Sequence, residues 1–147
     1  MPTTFSDATD AILGEFRDAW AISHATDCPI AWPSVAFDPK TDFDPEDHVA
    51  WVRVSIQGGE AQQASLAAPP NRLFRVVGVI LVQVFVPSGP GLGLSTALGV
   101  ADDVVSALEG KNAGGVAIRA GSINPVGRDG EWEQVNVSFA FRFDRDA

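Results

Sequence analysis

LFRVVGVILVQVFVP, residues 73–87, decides how the rest of the chain is read. Apolar side chains fill both alternating faces of this stretch, and many are β-branched, a shape that packs well on a pleated surface. A strand apolar on both faces is a central one, covered on each side within its own chain or packed into an assembly. Pro87 ends it, because proline offers no N–H to a ladder.

Toward the N-terminus, residues 58–71 (GGEAQQASLAAPPN) show no useful period and are long for a connection in a compact domain. They read as a loop, flexible in the free subunit and able to reach a neighbour. Residues 48–57, HVAWVRVSIQ, alternate: Ala50, Val52, Val54 and Ile56 share one face, and Val49, Trp51, Arg53 and Ser55 the other. This predicts a strand with one face on a core. Trp51 and Arg53 lie on the second face, and tryptophan and arginine are the residue types enriched where proteins grip one another. The preceding PIAWPSVAFDPKTDFDPED holds Pro29, Pro33, Pro39 and Pro45, which exclude a helix and leave room for a short edge strand around residues 30–36. At the start of the chain Phe5, Ala8, Ile12, Phe16 and Trp20 recur at three- and four-residue steps, predicting an amphipathic helix over residues 5–22. Thr4 is placed to cap it, with Asp7 and Asp10 at the positive end of its dipole. Trp20 belongs to the core on this reading, whereas Trp32, Trp51 and Trp132 fall where exposure is expected.

Toward the C-terminus, SGPGLGLST places Gly89, Gly91 and Gly93 ahead of a helix predicted over residues 95–109, with Ser95 as its cap and Gly110 as its stop. A glycine loop feeding a helix is how many proteins hold phosphate. Here the spacing fails, because Leu94 or Thr96 stands where G-x-G-x-x-G needs its last glycine, and the loop has no lysine. The glycines read instead as a turn, or as a place where another backbone comes close. Beyond it, residues 115–121 predict a short strand, SINPVGRDGE a polar turn, and residues 131–143 a long strand with Val135, Val137, Phe139, Phe141 and Phe143 on one face. The order α, β, β, β, α, β, β predicts an α+β fold: a mixed, mainly antiparallel sheet with two helices packed on it, one domain over residues 1–147. A chain of this length buries roughly 70% of the surface its unfolded form exposes.

Composition removes several functions. With 19 acidic against 10 basic side chains the net charge is −9, a field that repels nucleic-acid phosphates and anionic membranes alike. Cys28 is the single cysteine, so no internal disulfide or cysteine-rich zinc site can form. No apolar run approaches the ~20 residues of a membrane span, and the acidic N-terminus lacks the basic region of a secretion signal, so synthesis in the cytosol is expected. His24 and His48 read as surface groups, even with Asp42, Asp44, Glu46 and Asp47 near the second. Asp102 and Asp103 are helix neighbours that do not converge. No catalytic residue, metal or cofactor is expected.

The order of motifs is informative as a whole: an N-terminal helix; PIAWP at residues 29–33 leading to Phe37-Asp-Pro39; Trp51-Val-Arg-Val54; and an apolar strand containing Gly78 and ending Val84-Phe-Val-Pro87. The glycine turn, an Ala/Leu/Asp helix, and Asp129-Gly-Glu-Trp132 before an alternating strand complete it. Together these features resemble the tail-terminator and neck proteins of long-tailed bacteriophages and prophages. The resemblance implies a structural virion protein, assembled in the bacterial host cytoplasm, that caps the head-proximal end of the tail tube as a hexameric ring. Such a ring stops tube polymerisation and presents the head-docking surface. Its partners are then further copies of itself, the tail tube protein and a head-completion or connector protein, with Trp51, Arg53, Arg75, Gly89, Gly91 and Gly93 as candidate contact residues. Two alternatives stay open: another connector or neck protein, and a small-ligand binding domain using residues 88–96.

Overall fold

The computed structural model describes residues 4–63, 73–88 and 93–146. Its elements are α1 (Phe5–Ser23), β1 (Ile30–Ala31), α2 (Pro39–Asp42), β2 (Trp51–Gln63), β3 (Leu73–Pro87), α3 (Gly93–Leu108), β4 (Asn112–Ala113), β5 (Val116–Asp129) and β6 (Trp132–Asp146). The strands form one six-stranded sheet in the order β1-β2-β3-β6-β5-β4. Only β1 and β2 run parallel; the other four pairings are antiparallel.

As its composition requires, β3 is central, bonded to β2 on one side and along its whole length to β6 on the other. Its even-numbered residues Val76, Ile80, Val82, Val84 and Val86 point into the main core. They meet Val135, Val137, Phe139, Phe141 and Phe143 of β6 and Val52 and Val54 of β2. Both long helices cover this face, α1 through Ala8, Ile12, Phe16 and Trp20 and α3 through Ala97, Val100, Ala101, Val104, Ala107 and Leu108. The Thr4 hydroxyl caps α1 by accepting the Asp7 amide at 3.0 Å, and Gly110 ends the α3 region with φ +70°. The expected architecture, an α+β unit with two helices on a mainly antiparallel sheet, matches these elements.

Several local expectations need correction. The loop read over residues 58–71 is strand as far as Gln63: Ala61, Gln62 and Gln63 pair with Val76, Arg75 and Phe74, and the glycines are absorbed in an irregularity between Gly58 and Ala61. Residues 64–72 lie outside the described residues. SINPVGRDGE is not a turn, because β5 continues to Asp129 with register shifts at Ile118/Gly121 and Pro125/Gly127. Pro125 is tolerated because β5 pairs with β6 on one side only at that level. The proline-rich segment does hold a helical turn, α2, since Pro39 occupies its first turn, where a missing N–H costs nothing, and Asp38 caps it through the Lys40 amide. The edge strand read over residues 30–36 shrinks to two residues because the chain turns away, the Val35 amide donating to the Trp32 carbonyl with Ser34 at φ 62°. Ser95 lies inside α3 rather than capping it.

Candidate assembly surface

Among the described residues, the second face of the sheet is covered at one end only. There Trp51 stacks between Phe85, 4.2 Å away, and Phe37, 4.8 Å away, with Trp132 edge-on at 5.8 Å and Phe43 against Trp132 at 5.1 Å. Ala31, Phe43, Trp51 and Phe85 make a second small core. The expectation that Trp51 is exposed is therefore wrong: it is 3% exposed, and Trp132 is half-buried. Alternation placed Trp51 correctly on the face away from the helices. It could not show that the segment around α2 folds back over that face with Phe37 and Phe43. The Trp51 indole N–H finds no hydrogen-bond partner among the described residues. Arg53 stays exposed, its guanidinium carbon 5.3 Å from the Trp51 ring centroid, held against an aromatic platform.

Toward the other end no described residue covers this face. Val77 and Val79 of β3 are 43% and 41% exposed, flanked by Ser55 and Gln57 on β2 and by Ser138, Ala140 and Arg142 on β6. Arg75 is also here, and it is satisfied: its Nε and Nη2 donate to the two carboxylate oxygens of Asp144 at 3.0 and 3.4 Å. The hydrogen bond to Asp144, and then its charge, hold Arg75 above the ordinary guanidinium range. Of the six candidate contact residues, Trp51 is buried, Arg53 and Arg75 lie on the exposed face, and Gly89 and Gly91 lie outside the described residues. Gly93 begins α3, and a side chain there would come no nearer than 3.5 Å to another group, so it is not a point of close backbone approach.

Among the described residues the sheet is also unfinished at both edges. β1 pairs only with Val52 and Arg53 of β2, and β4 only with Val116 and Ala117 of β5. Beside the open part of β2 runs a groove of about 490 Å³ lined by Trp32, Pro33, Val35 and Phe37 together with Arg53 to Ile56. Edges are a property of strand order, and no single stretch of sequence carries that signal.

His24 is not the surface group its isolation suggested. Its Nδ1 lies 2.9 Å from Asp27 and its Nε2 2.7 Å from Asp103, its ring stacks 4.4 Å from Trp20, and its side chain is 10% exposed. It pins the end of α1 to the middle of α3. Beside it Trp20 Nε1–H donates to the Cys28 carbonyl at 3.1 Å. Burial above all, with the nearby Asp27 charge, pushes the Cys28 thiol up to about 12. A neutral, enclosed thiol is a poor nucleophile. Among the described residues no group of three or more His, Cys, Asp or Glu could hold a metal ion, and no helix is long and apolar enough to cross a membrane.

Among the described residues the fold is a single sheet with helices on one face, half of the other face uncovered and two sparsely paired edges. The family is specific: a model described as phage tail terminator protein matches residues 7–141, and the chain belongs to that family. It is a family of structural virion proteins, so this chain is not an enzyme. Among solved structures, one chain 21% identical superimposes with a TM-score of 0.59 over 92% of this chain and 94% of its own. A chain from the virion of a native gene transfer agent particle, 17% identical, does so with a TM-score of 0.51 over 92% of each. At these identities the likeness is one of fold. No curated protein sequence matches.

Proposed function

We propose that this protein closes the phage tail tube at its head-proximal end as a ring of identical subunits, six by the resemblance noted above. The ring stops tube polymerisation and presents the surface to which the filled head docks. The observation that carries this reading is the family match over residues 7–141. The structure supports it physically. A closed ring uses heterologous contacts, one patch of each subunit meeting a different patch of the next, and this chain offers unlike surfaces at its bare face and two edges. The net charge of −9 suits a conduit along which DNA slides without sticking. On this reading the partners are the tail tube protein on one side and a head-completion or connector protein on the other.

The test is electron microscopy of particles made with this gene deleted. Overlong tubes without heads are the expected result. Headless tails of normal length would move the protein to the head-joining side, and normal infectious particles would overturn the proposal.

A further inference from the structure

We infer that the open edge of β2 in one copy pairs, antiparallel, with the open edge of β5 in the next, so that the sheet runs on from subunit to subunit around the ring. This rests on the ring reading above and names the surfaces that build it.

Backbone groups alternate along a strand, so one bond fixes which residues face outward. The Val52 amide donates to the Pro29 carbonyl of the β1 segment at 3.1 Å; Val54 and Ile56 therefore also face outward, and Ser55 faces β3. On β5 the Ile118 amide donates outward to the Lys111 carbonyl at 2.9 Å, and the Gly121 amide to the Glu109 carboxylate at 2.8 Å. Ile123 then faces outward and Ser122 faces β6.

The two edges match in level and in sense. Through the ladders, Ser55 is level with Leu81, Ser138 and Ser122; Val54 is level with Ile123, and Ile56 with Gly121. Three antiparallel pairings separate β2 from β5, so the two run in opposite directions. A rotation about an axis along the strands preserves those directions. A neighbour's β5 then meets β2 at the same level and antiparallel, with Ser55 opposite Ser122 as a pair that exchanges no backbone bonds. In such pairs the side chains come closest.

Charge and shape point to a second copy of this chain. Glu60 is the one charged residue of β2 from Val54 to Gln63, and Arg119 and Arg128 are the charged residues of β5 from Arg119 to Arg128. Gly58 is level with Ile118, so Glu60 and a neighbour's Arg119 fall on either side of that level, a diagonal that two long side chains can span. On a chain of net charge −9 these arginines soften the repulsion between two copies; the Glu109 carboxylate, which caps the outward Gly121 amide at 2.8 Å, must release it for the pairing to reach Ile56. The groove beside β2 offers Trp32, Pro33, Val35 and Phe37 to apolar side chains, and β5 presents Ile123 and Val126, 36% and 52% exposed. Pro125 has no N–H and ends the pairing, which keeps the junction short and the free edge from templating long aggregates.

The experiment is the double variant Ser55→Cys/Ser122→Cys in the full chain, mildly oxidised and followed by non-reducing gel and native mass spectrometry. Cys28 is buried and stays out of the reaction. A covalent ladder ending at ring size, seen in the double variant and in neither single one, is the expected result. Dimers from Ser55→Cys alone would mean that β2 pairs with β2 and would overturn the inference. Rings seen by mass with no cross-link would overturn it while leaving the ring reading standing. A chain monomeric at every concentration, with no cross-link, would overturn both. As a second readout, Glu60→Arg and Arg119→Glu should each weaken assembly about tenfold, and together restore it.

Discussion

His24 and Cys28 show what single residues hide when read in sequence. His24, with no partner in sequence, read as a surface group, and Cys28 only as the single cysteine. The fold instead brings Asp27 and Asp103 to the two ring nitrogens of His24, and Asp103 is 79 residues away, beyond any local pattern. The thiol of Cys28, raised from its ordinary 9.0 to about 12, makes a stability prediction whose sign can be worked out. Below pH 9 the thiol is neutral in both folded and unfolded chains. Between about 9 and 12 the unfolded chain ionises it and the folded chain does not, so folding loses stability as pH rises through that window. Melting temperatures measured across it should therefore fall more steeply for the native chain than for Cys28→Ala. Parallel curves would show that the thiol is not protected by the fold.

At the scale of elements, legibility followed how local the signal was. β3 was read residue for residue from 73 to 87, because apolar β-branched residues on both faces specify a central strand without outside help. The far end of β2 and most of β5 were missed, because glycine, glutamine and proline form strand there only through the ladders they join and the bulges that absorb them. α2 was missed because proline was read only as a helix breaker and not as a first-turn residue. Two glycines turn this into a paired prediction. A Cβ on Gly78 would lie 2.4 Å from the Phe141 ring and 2.5 Å from the Gln57 carbonyl, a backbone atom of the neighbouring strand that cannot step aside. Gly99 on α3 is exposed, and a Cβ there meets nothing within 4 Å. Gly78→Ala should therefore destabilise the chain by on the order of 3 kcal/mol, through strain at the middle of the sheet. Gly99→Ala should stabilise it by about 1 kcal/mol, by lowering the entropy of the unfolded chain. Urea unfolding of both variants reads the contrast, and equal effects would contradict the packing described.

For the molecule as a whole, the sheet separates two unlike surfaces. The helical layer carries the exposed carboxylates Asp10, Asp18 and Asp102, whereas the second face carries Arg75 and Arg142 beside Val77 and Val79, with Asp144 already engaged by Arg75, and Arg53 at its aromatic end. Two half-exposed valines in the middle of a sheet forgo burial worth roughly 1 kcal/mol or more between them. A monomer gains nothing from that, but a subunit whose partner covers the face recovers it. The aromatic end of the same face shows what covering looks like, since there the α2 segment supplies Phe37 and Phe43 from within the chain. If the bare end is the surface a tail-tube or head-side partner completes, then Val79→Asp separates folding from function. The side chain already meets water, so the variant's urea midpoint should shift by no more than about 0.5 kcal/mol, while its co-sedimentation with assembled tail tubes should be lost. A neighbouring change on the acidic layer, Asp102→Asn, should leave both unchanged. Loss of folding in Val79→Asp would mean that the valine is structural after all. Normal folding with normal co-sedimentation would leave the two open edges, and not the face, as the surfaces through which this protein assembles.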